Sequence, residues 1–325
     1  MFHFSYKYSD HATYLQDFAT ALGVKIEKNT LWLPPATGTG YVKMVELANG
    51  LQVLINECII NTDVHIFREL SALQSYTLRF DQVKNMKNLT LNMGEDLLEE
   101  KNEFYSGAFL TNSLSIFGYT TNAGTEDRCV NIYFTEEWFN KYSGVKSTDT
   151  FFTKYFSLKS PSFNFEVLNI EYRELMEEIF TLKEDHPIYK TVLQNRVMLL
   201  LEKFLRNLYI RMSGVTAQLP LDESEIKRIM QIESMLVQDL SIAPSIMELA
   251  RIAMMSETKL KNVFKNVYGL SLYEYYQKNR MLVARQLLIN RKYSVKETGL
   301  KLGFKNLSNF TIAYKKAFNM LPSNV

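Results

Sequence analysis

The sequence is poor in the residues on which disulfides, metal centres and most catalytic sites depend. Only two of its 325 residues are Cys and four are His. Cys58 and Cys129 lie far apart and fit no zinc or redox spacing, so they are expected as buried, reduced thiols of a cytosolic protein. His3, His11, His65 and His186 include no His-x-His pair and no ligand spacing within a predicted strand. That argues against a metal centre, which needs clustered imidazoles and carboxylates. No Gly-x-Ser-x-Gly elbow and no phosphate-binding glycine loop occurs. The chain therefore reads as a binding protein, not an enzyme, with no cofactor. No stretch approaches the roughly 20 apolar residues of a membrane helix. The opening residues, MFHFSYKYSDHATYLQDF, lack the apolar core of a signal peptide. No membrane association is expected, and the cytoplasm is the expected compartment.

Acidic residues are scarce at one end. From Ser241 to Val325 there are 14 Lys and Arg but four acids, Glu248, Glu257, Glu274 and Glu297. That segment carries +10, and because the whole chain carries +2 the remainder carries −8. Such a split marks an acidic body and a basic module that meets a polyanion. A solvated basic face is the alternative that charge alone leaves open.

What is present falls into three stretches. After a helix near Tyr14–Leu22 and the Pro/Gly loop LWLPPATGTG, residues 41–165 read as short strands: YVKMVEL, LQVLINECII, VHIFREL, SYTLRF, GAFLTNSLSIFGYT and RCVNIYF. They are rich in β-branched and aromatic residues, and their spacing suggests a barrel or sandwich. From about Asn164 the period becomes helical. EYRELMEEIFTLKED is followed by a long helix with a stripe of Leu193, Val197, Leu200, Phe204 and Leu208, widened by Leu201 and Leu205. A stripe this wide predicts burial on two sides, against its own domain and against a second subunit. An ordinary core helix is the alternative. SGVTAQLP then reads as a linker.

The basic end contains a repeat. IMELARIAMMSETKLKNVFKNVYG, from Ile246, matches VKETGLKLGFKNLSNFTIAYKKAFN, from Val295, at an offset of 49 and then 50 residues. Each copy reads as short helix, turn, second helix. Ala250 and Gly299 are the small residues needed where two helices cross closely. Gly303 suits a turn with positive φ; Met254 at the matching place does not, which leaves that turn's geometry open. Ser256 is a candidate N-cap. Leu260, Val263 and Phe264, and likewise Phe310 and Tyr314, pin the second helices. LYEYYQKNRMLVARQLL, residues 272–288, reads as a long helix joining the copies, with Tyr276, Arg280, Ala284 and Leu287 at helical spacing. Two second helices held about one DNA turn (roughly 34 Å) apart can enter successive major grooves.

This end resembles the AraC/XylS family of bacterial transcriptional regulators. The residues that carry the likeness are ELA (248–250), Ser256, LKNVFK (260–265), YGLSLYEYYQKNRMLVARQLL (268–288), SVKETGLKLGF (294–304), NFTIAYKKAF (309–318) and LP (321–322). Asn319 stands where the family has Gly, and Leu321 precedes Pro322. Residues 46–80 are similar to the sensor domain of the pyochelin-receptor-regulator branch. The resemblance implies an α+β multidomain protein. Its parts would be an N-terminal cupin-like β-barrel sensor domain (1–163), a helical dimerisation segment (164–212), a linker (213–221) and a C-terminal all-α double helix-turn-helix domain (222–325). It implies base reading by Glu257, Thr258, Lys261 and Asn262 in the first copy and by Leu307, Ser308, Thr311 and Ile312 in the second. Ser256, Lys265, Lys305, Asn306, Lys315 and Lys316 would face phosphate. The second set is apolar enough that thymine methyls and hydroxyl bonds would be its readout. In the N-terminal domain Tyr41, His65, Arg68, Tyr76 and Arg79 are candidates for an effector pocket. The implied partners are double-stranded DNA, RNA polymerase, a small-molecule effector and a second copy of the chain, with activation expected. A dimeric regulator that binds no ligand is the other reading.

Overall fold

The structure, a computed structural model, describes residues 1–7, 9–69, 71, 75–84, 89–93, 96–100, 106–114, 117–144, 163–213, 223–291 and 293–325. In chain order the first elements are β1 (Phe2–Lys7), α1 (His11–Leu22), β2 (Ile26–Glu27), β3 (Thr30–Trp32), β4 (Gly38–Glu46), β5 (Gln52–Ile60), β6 (Val64–Glu69) and β7 (Ser75–Lys84). There follow β8 (Leu89–Met93), β9 (Asp96–Glu100), β10 (Ser106–Asn112), β11 (Phe117–Thr121), β12 (Glu126–Thr135), α2 (Glu136–Tyr142) and β13 (Phe163–Val167). The rest is helical: α3 (Ile170–Phe180), α4 (Tyr189–Ser213), α5 (Glu223–Gln238), α6 (Ile246–Ile252), α7 (Glu257–Tyr268), α8 (Leu272–Ile289), α9 (Val295–Lys301) and α10 (Leu307–Phe318). A short 3-10 turn, Pro322–Asn324, closes it. The expected α+β class holds, with a sheet-rich amino-terminal part and an all-helical carboxy-terminal part.

The described strands form two sheets, ordered β1-β6-β11-β8-β9 and β13-β10-β7-β12-β5-β4-β3-β2. Alternation along each strand gives every strand an inner and an outer face. Phe4, Val64 and Ile66 of the smaller sheet share one core with Val42, Met44 and Leu54 of the larger sheet and with Leu15 and Phe18 of α1. The outer face of the larger sheet is covered as well. The Phe80 ring meets Phe204 of α4 edge-on at 6.5 Å, and Phe134 meets Trp138 of α2 at 5.8 Å.

That packing corrects the expected dimer helix. Leu193, Val197, Leu200, Phe204 and Leu208 are all 0% exposed within a single chain, so none can touch a second subunit. The stripe is buried within the chain, and Phe204 meets the larger sheet at Phe80. Leu205 lies off the stripe and, with Trp138, Tyr142, Met198, Leu199 and Tyr209, lines a groove of about 810 Å³ between α2 and α4. The segment 164–212 is not a unit either. The chain divides into 1–168 with 187–215, and 169–186 with 216–325. Thus α4 belongs to the amino unit and α3 to the carboxy unit.

In the carboxy unit α8 is the axis, packed on by α3, α5, α7, α9 and α10. α5, which sequence patterning did not mark, packs on α6, α7 and α8. Ser271 and Glu274 form a reciprocal capping box at the start of α8. Its 18 residues span about 27 Å.

Candidate nucleic-acid interface

Each copy of the repeat opens on a serine cap, and the turn recurs bond by bond. In the first copy Ser245 caps α6, its Oγ accepting from Glu248 N at 3.2 Å. In the second, Ser294 caps α9 and accepts from Glu297 N at 3.2 Å, while the Glu297 carboxylate accepts from Ser294 N at 2.8 Å. After α6, Met255 N donates to Ala250 O at 3.0 Å and Met254 N to Arg251 O at 3.2 Å. After α9, Phe304 N donates to Gly299 O at 2.9 Å and Gly303 N to Leu300 O at 2.9 Å. Met254, whose fitness for the turn was open, adopts φ +53°, the same left-handed region as Gly303 at +75°. Met254 bears the local cost of that conformation and no other, since the residue is 81% exposed.

Gly303 is held to a stricter condition. A Cβ there would lie 1.9 Å from the Ser241 carbonyl oxygen. Gly299 sits at the helix crossing, where a Cβ would come within 3.2 Å of the Phe310 ring. Arg280 of α8 locks the second turn from below. Its Nε donates to Leu302 O at 3.1 Å, its Nη2 donates to the same oxygen, and its guanidinium lies 4.0 Å from the Phe304 ring centroid. Sequence periodicity placed Arg280 in the stripe of α8 but gave no sign of this clamp.

Each second helix buries one face and exposes the other, polar on α7 and mixed on α10. On α7, Leu260, Val263, Phe264 and Tyr268 are buried, while Ser256, Glu257, Thr258, Lys261, Asn262 and Lys265 are exposed. Ser256 caps the helix, accepting from Lys259 N at 3.2 Å. Glu257 and Lys261 approach at 3.6 Å across one turn. On α10, Phe310 and Tyr314 are buried. Leu307, Ser308, Lys305, Asn306, Lys315 and Lys316 are exposed, as is Ile312 at 66%. Two residues of this set have local duties. Thr311 is half-buried and donates its hydroxyl to Leu307 O at 3.0 Å, so towards a base it could only accept. Asn306 Oδ1 accepts from Ser308 N at 2.8 Å as the cap of α10, leaving its amide NH₂ for phosphate. Asn319 takes φ +53° at the end of α10, doing the work of the glycine it replaces.

The candidate effector residues do not form one site. Arg68 is buried and donates to Thr111 Oγ1 at 3.0 Å and Asn112 O at 3.2 Å. Arg79 pairs with Asp81 at 3.1 Å and lies 5.1 Å from the centre of the Tyr119 ring, which packs on the core between the sheets. Tyr76 points the other way and stacks on Phe134 at 5.6 Å. Tyr41 rests on Trp32 at 5.6 Å, and His65 pairs its Nδ1 with Thr120 Oγ1 at 2.8 Å. The reason is the two-residue period. Tyr76 and Arg79 on β7, and His65 and Arg68 on β6, are an odd number of residues apart and so face opposite sides.

Sequence reasoning passed over the acidic side of the Arg79 site. Burial, then the neighbouring Asp81 charge, push the Asp127 carboxyl up to about 7, against the pull of Arg79. His11 is buried with Nε2 3.1 Å from Asn131 O, and burial lowers it to about 3, so it stays neutral. A carboxyl raised on folding holds its proton longer in the native than in the unfolded chain. Between about pH 4 and 7, then, the contribution of Asp127 falls as pH rises, while that of His11 rises between about pH 3 and 6.5. Asp127→Asn should remove the first and keep the second, and should stabilise the protein at pH 8 by roughly 2 kcal/mol, solvent access having reduced the full shift. Urea titrations of both proteins at pH 5 and 8 would check it; the same change with pH in the two would show that Asp127 does not contribute. Among the described residues no group of three or more His, Cys, Asp or Glu could hold a metal ion, and no helix is long and apolar enough to cross a membrane.

Two helix pairs with matching turns, joined by one stiff helix, define a tandem helix-turn-helix domain, the architecture of a DNA-binding module. Residues 249–325 match the helix-turn-helix domain family. It is 38% identical over 69 residues to the virulence regulon transcriptional activator VirF of Yersinia enterocolitica, 21% of this chain and 26% of that protein. It is 29% identical over 169 residues to the histidine kinase P4 of Formosa agariphila, 51% of this chain and 12% of the kinase. Unsaturated-fatty-acid-bound ToxT of Vibrio cholerae is a structural neighbour with a TM-score of 0.36 and 14% identity, covering 84% of this chain and 94% of that one. The chain spans about a quarter of the length of the VirF-type relatives it matches.

Proposed function

We propose that this chain is a sequence-specific DNA-binding transcriptional regulator, an activator by family resemblance, whose amino unit binds a small-molecule effector. The observation that carries the DNA reading is the repeated turn, with α7 and α10 each exposing one face and lying on opposite flanks of α8 in the sequence. Glu257, Thr258, Lys261 and Asn262 would read bases. Lys can donate to guanine, and Asn can pair with adenine. Leu307 and Ile312 would touch thymine methyls beside Ser308, and Thr311 would accept. Lys265, Lys305, Lys315 and Lys316, with Ser256 and the Asn306 amide, would hold phosphates and set the register. RNA polymerase and a second copy of the chain are partners by resemblance, and the cytoplasm is the compartment. For the effector, Arg68 and Arg79 are the candidates that remain, joined by Asp81 and Asp127.

The test is DNA selection with purified protein, followed by binding at several salt concentrations. Association should weaken steeply with salt. Lys261→Ala and Asn262→Ala should each relax base preference by about 1–3 kcal/mol per lost contact. Wild-type discrimination in both variants would remove α7 as the reader. The second reading, a dimeric regulator that senses nothing, is favoured by the ion pair of Arg79 with Asp81 at 3.1 Å, which gives that arginine a partner within the chain. Thermal midpoints measured against sugars, siderophores, fatty acids and aromatics separate the two, because a ligand of the folded state must raise the midpoint.

A further inference from the structure

The chain enters the carboxy unit twice. Residues 169–186, which contain α3, belong to that unit but are flanked on both sides by chain of the amino unit, ending in Leu168 and resuming at Pro187. α3 is held there by an interaction seldom spent on a linker. Arg173 Nη2 lies 2.6 Å from Glu233 Oε1 of α5, with side chains only 4% and 6% exposed. The same oxygen accepts from Tyr275 Oη of α8 at 2.7 Å. The Tyr275 ring is the backing of the first reading helix: it meets Phe264 edge-on at 5.4 Å and Tyr268 at 5.1 Å. Further along, Glu174 pairs with Lys278 at 2.7 Å, and Glu177 Oε2 accepts from Gln286 Nε2 at 2.5 Å.

The chemistry ranks these contacts. A carboxylate this deeply buried is tolerated only with its counterion and its hydrogen bonds in place. Tyr275 supplies a hydrogen bond but no charge, so the positive charge that neutralises Glu233 in this cluster is the one on Arg173. Glu233 therefore links α3 to the packing of α5, α8 and α7, whereas the exposed Glu174–Lys278 pair contributes little.

We propose that Arg173 is a positioning residue for the first DNA-reading helix, and that α3 is the point at which the amino unit acts on the DNA-binding unit. A change in the amino unit that withdraws α3 removes Arg173 and leaves the Glu233 carboxyl buried without its counterion, which loosens Tyr275 and the helix it backs. The docked and the DNA-competent states are then one state. Anything that shifts the docking equilibrium shifts DNA affinity, and DNA favours docking in return. The inference rests on the reading of the carboxy unit as DNA-binding.

The experiment uses the full chain as Arg173→Met, Glu233→Gln and the double variant, with hydrogen exchange of α7 and α8 and the Kd for a selected duplex as readouts. Arg173→Met should speed exchange in both helices and weaken DNA binding about tenfold or more, the unpaired carboxylate being the cause. Adding Glu233→Gln should restore most of both, because an amide needs no counterion and still accepts from Tyr275. Unchanged exchange and Kd in Arg173→Met would overturn the proposal, and so would a double variant no better than Arg173→Met. Should Arg173→Met fail to fold, Glu233→Gln and the double variant decide: they must bind DNA alike, and a tenfold gap between them refutes the role. If the intact protein bound no duplex, the DNA reading would fall. The exchange data would still report whether α3 docks through Arg173.

Discussion

Gly303→Ala is expected to abolish DNA binding and to destabilise the carboxy unit by about 3 kcal/mol or more. The methyl carbon would sit 1.9 Å from Ser241 O, 2.7 Å from Ser241 C and 2.9 Å from Ser241 Cα. All three are backbone atoms, so no rotamer change relieves the clash and the α5–α6 connection must move. The left-handed φ of +75° adds about 1–2 kcal/mol for any residue with a Cβ. The turn also aims α10, so displacement there moves Leu307, Ser308 and Ile312 together. Met254→Gly is the matched control. It changes the equivalent turn of the first copy, where the side chain is exposed, and should alter stability by no more than about 1 kcal/mol. Urea unfolding of the two variants beside the parent would test this; a Gly303→Ala protein with the parental midpoint would show that the approach of Ser241 is not a constraint.

Phe204→Ala should cost about 3–5 kcal/mol of stability in the amino unit, and it should do so without separating subunits. Phe204 is 0% exposed and packs on Phe80 of the sheet, so its loss leaves a cavity inside one chain. If two chains meet along α4, the residues that can do so are off the stripe, such as Glu202, which is exposed. Glu202→Ala should leave the stability within about 0.5 kcal/mol of the parent's, the usual range for a surface change. Light scattering with chemical denaturation reads both quantities. A Phe204→Ala protein that kept the parental midpoint but ran as a monomer where the parent ran as a dimer would restore the stripe to the interface.

The stripe on α4 shows why part of the site was legible and part was not. Spacing of three and four residues identifies a buried face, but a buried face has the same pattern whether its partner is its own sheet or another subunit. The effector residues failed for a simpler reason that was present in the sequence: Tyr76 and Arg79 cannot share a strand face. In the DNA-binding unit nearly everything was readable, because caps, crossing residues and turns are local. Ser256 and Asn319 each act within a few residues of their place in the chain, and Gly299 meets Phe310 of the next helix in its own pair; the caps Ser245 and Ser294 were equally local but were not singled out. The role of Arg280 was hidden, since its partner Leu302 lies in another helix, and α5 escaped because no repeat drew attention to it.

By itself the sequence determined the class of domain, the two copies and their period, the exposed faces of α7 and α10, and a basic end set against an acidic body. These follow from short-range rules of backbone conformation, helical period and charge. Only the tertiary structure decided which unit claims α3, what covers the stripe of α4, why Gly303 admits no side chain, and which arginine neutralises Glu233. Those are choices of partner between segments distant along the chain, and they are settled by packing and desolvation once the whole chain has closed on itself.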